Sequence, residues 1–226
     1  ASVPADERSP IVLRASGRVA DSQHAGRFAV ELALNRTAAR EDPLSAIEAL
    51  KAELENTPLE LFAPLVARSA PDVELGGRLS AFAKCEVTGG SIQPEVTIQL
   101  TAVVDKFVLA GGALHGDRLA LERIEAGGRA SWRGRLVEIE RFRVQTELGS
   151  ALVTGGFNLP DDSLSTLLKS LAEQTYRIEA GVNLAALAAQ LPNTLRLQEG
   201  MRIESGDAAI ILESRRTGDS MRWDGQ

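Results

Sequence analysis

The chain contains a single cysteine, Cys85, in 226 residues. An intramolecular disulfide is therefore excluded, and cysteine usage does not report the redox compartment. Aromatic residues make up only 4%, so Leu, Val, Ile and Ala must supply the apolar surface. No apolar run approaches the roughly 20 residues that a membrane-spanning helix needs. The opening stretch, ASVPADERSP, is polar, without a signal-peptide core or an initiator Met. The chain is expected to be a piece of a longer protein whose targeting segment lies outside it. Basic clusters with interleaved aromatics are also missing. Net charge is -6, and the arginines alternate with acids as on a solvated face. Nucleic acid is not an expected partner.

What is present is alternation. Apolar residues make up 44% of the chain, and much of that content recurs with period 2, the spacing of a strand with one apolar face. IVLRASGRVA sets Ile11, Leu13, Ala15 and Val19 against Arg14, Ser16 and Arg18. RFAVELALNR sets Phe28, Val30, Leu32 and Leu34 against Arg27, Glu31 and Asn35. With DSQHAG as the turn, residues 11 to 36 read as a β-hairpin. Short helices are expected near residues 58–69, 163–174 and 184–191. The second of these follows Asp161, Asp162 and Ser163, a polar triplet suited to an N-cap.

Two internal repeats organise the chain. A short Leu-rich helix followed by a step to glycine occurs twice: Leu59, Phe62, Leu65 and Gly77 parallel Leu184, Leu187, Leu191 and Gly200. The expected organisation is one elongated β-rich region with two related modules, roughly 11–157 and 158–226. In addition, LALERIEA (119–126) and VEIERFRV (137–144) align at an offset of 18. In both, the apolar phase slips by one at Glu-Arg, which predicts a bulge or bend at 122–123 and at 140–141. Ile124 and Phe142 would then point into the core. The intervening GGRASWRGR reads as a turn-rich link, with successive rungs stacked on one another.

Candidate chemistry is sparse. His24 and His115 sit in polar, turn-like settings without metal-ligand spacing. Cys85 lies in phase with Ala81, Ala83 and Val87, so a buried small hydrophobe is expected rather than a reactive thiol. Asp161 and Asp162 suit a helix cap better than an acid/base pair. Glu138 and Glu140 share a face if their strand is regular, laced with arginines. Asp105-Lys106 interrupts the apolar run LTAVVDKFVLAG and reads as a bend. The Gly-Gly pairs at 76–77, 89–90, 111–112, 127–128 and 155–156 lack phosphate-loop context and suit turns, bulges or close backbone approach. No nucleophile stands beside a candidate base. The chain is expected to be no enzyme, with no metal and no cofactor.

The alternating, aromatic-poor strands, the LxxLxLxxG step after a short helix, and segments such as VEIERFRVQTELGSALVTGGFNL resemble the AsmA-like bacterial envelope proteins, including TamB-type and YhdP-type members. The resemblance spans most of residues 11 to 214. It implies an elongated, curved, antiparallel-rich sheet forming a U-shaped, lipid-lined groove in the periplasm. The function it implies is phospholipid transport or support of outer-membrane assembly, with a membrane anchor elsewhere in the full-length protein. The alternation itself leaves two architectures open: such a groove, or a sandwich whose apolar face packs on another sheet and the short helices. In the groove reading Leu13, Val30, Leu32, Ile98, Leu100, Val144 and Ile210 line the site, and the partner is the acyl chains of phospholipid. In the other reading the chain is a scaffold or interaction module for other envelope proteins.

Overall fold

The computed structural model describes residues 10–20, 25–35, 47–66, 72–88, 95–158, 175–198, 200–217 and 220–225. Among these, eleven strands form one sheet. The first six are β1 (Ile11–Ala20), β2 (Ala25–Leu34), β3 (Ile47–Pro58), β4 (Glu74–Thr88), β5 (Glu95–Ala110) and β6 (Arg118–Arg133). Then come β7 (Leu136–Thr146), β8 (Gly149–Asn158), β9 (Thr175–Asn183), β10 (Asp207–Thr217) and β11 (Ser220–Gly225). Each strand pairs antiparallel with the next in sequence, so the sheet is an open meander with β1 and β11 at its edges. The expected hairpin is present, in unbroken register from Ile11↔Leu34 to Ala20↔Ala25.

Local chemistry sets the turns. β6 and β7 are joined by only Gly134 and Arg135, and Gly134 supplies the left-handed backbone (φ +57) that tight hairpins need. The Trp132 indole N–H donates to the Gly134 carbonyl at 2.6 Å and braces this turn. GGRASWR is therefore strand, and the turn-rich link expected there shrinks to two residues. β6 and β7 run antiparallel, with Ala126 opposite Val144. The two 18-residue repeats thus lie head to tail and are not stacked rungs.

The phase slips fall where the sequence puts them. In β6 Leu121 is buried, Glu122 and Arg123 are exposed, and Ile124 is half-buried; in β7 Ile139 is half-buried, Glu140 and Arg141 are exposed, and Phe142 is half-buried. Their geometries differ. At 140–141 the register shifts against both neighbours, so β7 carries an inserted residue, a true bulge. At 122–123 the pairing with β5 keeps its register, and the opposing Lys106 takes up the irregularity with φ +52. This accounts for Asp105-Lys106: β5 has an extra residue opposite Gly77, where any Cβ would come within 3.1 Å of backbone atoms.

The first expected helix is a 3-10 turn, Leu59–Phe62, running into one helical turn, α1 (Ala63–Val66). The third is α2 (Leu184–Gln190), whose N-cap Asn183 accepts from the Ala186 N–H at 2.9 Å. Residues 163–174, with the cap at 161–163, lie outside the described residues, as do His24 and Gly89-Gly90. Both helices interrupt the meander at the same end of the sheet, so the first repeat is a recurring strand-helix-strand step. Its glycines do not correspond, because Gly77 lies within β4 and Gly200 in the loop before β10.

This end holds most of the core. Leu59, Leu121, Leu148, Ala188 and Leu191 are buried there; at the opposite end, among the described residues, the buried apolar side chain is Val137. Asp117, in the turn before β6, ties the cap together. Its carboxylate accepts from the Asn193 and Thr194 backbone N–H groups at 3.2 and 2.6 Å and from the Asn193 side chain at 2.8 Å. The Gln190 side chain accepts from the Ala120 N–H at 2.9 Å. Over the rest of the sheet the apolar side chains remain half-exposed.

Candidate functional site

Residues directly opposite in an antiparallel ladder project to the same face, and each strand alternates between faces. Following the register from strand to strand therefore traces rows across the sheet. One row runs Leu13, Leu32, Leu50, Cys85, Ile98, Ala130, Ile139, Gly155, Tyr176. The next runs Ala15, Val30, Ala52, Ala83, Leu100, Gly128, Phe142, Val153, Ile178, Leu212. The third runs Gly17, Phe28, Leu54, Ala81, Ala102, Ala126, Val144, Ala151, Ala180, Ile210. None of the three contains a charged residue.

All seven sequence-derived candidates fall on this face. Leu13, Leu32 and Ile98 lie in the first row, Val30 and Leu100 in the second, and Val144 and Ile210 in the third. They are spread over the sheet, from β1 to β10, and do not converge on one pocket. The bulge at Glu140-Arg141 keeps the rows continuous: it restores Phe142 and Val144 to the apolar side after Val137 and Ile139. Without it, half of β7 would present its apolar side chains to the wrong face.

The opposite face is polar and laced with ion pairs. Arg14 meets Glu31 at 2.9 Å, Arg133 meets Glu95 at 2.7 Å, and Arg177 meets Glu179 and Glu213 at 2.7 and 2.6 Å. The hydrogen bond from Arg14 holds the Glu31 carboxyl below its usual range; desolvation opposes this, and the charges of Arg14 and Lys51 add to the lowering. Shallow depressions occur on this face, one of about 480 Å³ between Arg143, Ser150, Leu152, Glu179 and Ile211. Glu138 is exposed there, and so is Glu140, now the inserted residue of the bulge.

Exposure separates this sheet from an ordinary core. Leu13 is 53% exposed, Ile210 41%, Ile98 37% and Val30 36%. Cys85 stands between Leu50 and Ile98 on the apolar face as expected, yet it is only half-buried, away from the buried cluster at the helical end of the sheet. Desolvation nevertheless pushes its thiol pKa up, with the neighbouring Glu86 charge adding to it. His115 is exposed in the β5–β6 turn, in a left-handed conformation with φ +52. Among the described residues no group of His, Cys, Asp and Glu is placed to hold a metal ion. No helix there is long and apolar enough to cross a membrane.

No protein-family model, curated protein or solved structure matches this chain.

Proposed function

We propose that this chain is a non-catalytic segment of an AsmA-like envelope protein whose apolar sheet face binds the acyl chains of phospholipid. The observation that carries the reading is the set of three charge-free rows, half-exposed across the sheet. With rows about 6.7 Å apart and strands about 4.8 Å apart, they cover on the order of 600 Å². Soluble monomers rarely leave a larger contiguous apolar patch in water without a partner for it. An acyl chain laid on this surface would gain about 0.8 kcal/mol per buried CH₂, with no need of fixed polar contacts. Curling the sheet toward its apolar side would enclose the chain in a U-shaped groove and withdraw more of that face from water. In this proposal the protein works in the periplasm, in phospholipid transport or outer-membrane assembly.

A second reading, a scaffold for other envelope proteins, is favoured by the sheet edge. β1 runs ten residues in unbroken register with β2, without a proline or bulge to blunt its outer edge, and such an edge can take up another strand. Mass spectrometry of lipid extracted from the purified chain separates the two. Stoichiometric phospholipid supports the carrier. Lipid-free protein that pairs with another β-protein supports the scaffold.

A further inference from the structure

The polar face carries a pattern of its own. Lys51, Lys84, Gln99, Arg129 and Arg141 are successive cross-strand partners from β3 to β7, a row with four cations and no acid. The first two cations are neutralised: Lys51 by Glu31, which continues the row on β2, at 3.7 Å, and Lys84 by Glu86, two residues along its own strand, at 2.6 Å. At β6 and β7 that compensation ends. Arg129 stands directly opposite Arg141, and Arg143 is two residues further along the same face. All three are exposed and make no ion pair among the described residues. Like charges directly opposite each other destabilise a sheet, so an anion placed among them would relieve a cost the free protein carries.

The surroundings leave room for one. Gly127 stands between Thr101 and Arg143 in the ladder, so the neighbour of Arg143 on that side brings no side chain of its own, while Leu152 stands opposite Arg143 on the other side. Of the nearby acids, Glu125 is engaged by Arg123 at 2.8 Å and Glu138 acts on Arg133. Glu140, inserted by the bulge beside Arg141, is exposed and makes no ion pair among the described residues, so its charge would repel an incoming anion. We propose that Arg129, Arg141 and Arg143 form a binding site for a phosphate-class oxyanion, whether free phosphate or a lipid headgroup. Guanidinium groups offer paired N–H donors that match such oxygens bidentately. The site lies on the face opposite the apolar rows, so it stands or falls independently of acyl-chain binding.

The test is titration of the full chain with inorganic phosphate, read by NMR at the arginine side-chain N–H groups. Saturable shifts at these three arginines are expected, weakening as salt is raised. Arg141→Gln should loosen binding about tenfold, the loss of one charge-assisted contact. Glu140→Gln should tighten it, because a charge that repels the anion is gone. Both changes are at exposed positions, and circular dichroism checks that the sheet persists. Co-sedimentation with phosphatidic acid vesicles, abolished by Arg141→Gln, would assign the ligand as a headgroup; phosphate binding without co-sedimentation would assign it as soluble. Non-saturable shifts, or shifts the same in wild type and Arg141→Gln, would overturn the site.

Discussion

The ring of Phe142 lies over Gly128, its direct cross-strand partner on the apolar face. A Cβ added at Gly128 would come within 2.8 Å of the Phe142 ring and would clash with the Arg141 carbonyl oxygen at the bulge. The same relationship holds for Phe28 over Gly17 and Tyr176 over Gly155, where an added Cβ would sit 2.6 and 2.9 Å from the ring. Glycine leaves space for a flat aromatic, and the aromatic shields backbone that glycine leaves bare. Gly128→Ala should therefore destabilise the chain by more than about 1 kcal/mol, because backbone as well as ring must shift. Denaturant titration measures this. A neutral result would mean that the bulge and ring relax freely.

Phe142→Ala should cost less than the roughly 3–5 kcal/mol typical of a fully buried phenylalanine. Phe142 is only half-buried, and about 1–2 kcal/mol is expected from the apolar area it removes from water. A loss in the fully buried range would show that something covers this face in solution.

Cys85 should label more slowly in the native chain than in the unfolded one, with the onset of reaction above the ordinary thiol range. Desolvation, then the Glu86 charge, raises its pKa and favours the neutral thiol. Its contribution to stability is thus complete below the unfolded thiol pKa and fades as pH rises through the raised folded value. Labelling rates across pH check the direction. An onset at or below the range of a model thiol would contradict it.

Asp117 should hold the cap at acid pH longer than an ordinary carboxylate would. Burial opposes its ionisation, but the hydrogen bonds from Thr194 and Asn193 outweigh that and lower its pKa. A depressed folded pKa gives stability that is present above the unfolded value and lost as pH falls through the folded one. Asp117→Ala should open the segment after α2 while the sheet persists. Hydrogen exchange at the Asn193 and Thr194 amides is the readout, and unchanged protection would refute the clamp.

Alternation made the strands and their two faces legible in the sequence, because period 2 is imposed by the backbone itself. That is why Leu13, Val30, Leu32, Ile98, Leu100, Val144 and Ile210 share a face although up to 197 residues separate them. The phase slips at Glu122-Arg123 and Glu140-Arg141 were legible for the same reason. Their difference was not, since it depends on what opposes each step: Lys106 in one case, an unmatched insertion in the other. Asp117 gave no signal either, because its partners lie 76 and 77 residues away in sequence. The arginine row escaped because alternation with acids along one strand says nothing about which residues become neighbours across strands. Depth of burial likewise depends on what covers a face, and a single strand's pattern does not report that. The half-exposure of Cys85 follows from it.

The most direct test of acyl binding uses two residues of equal exposure on opposite faces. Ile98 and Phe82 are both 37% exposed, but Ile98 lies in the first apolar row while Phe82 stands between Glu53 and Thr101 on the polar face. Binding of a fluorescent fatty-acyl probe is measured for wild type, Ile98→Glu and Phe82→Glu, with circular dichroism as the control for folding. If the apolar face is the lipid site, Ile98→Glu abolishes binding and Phe82→Glu leaves it intact. Equal effects of the two substitutions, or a wild-type chain that takes up no probe, would contradict it.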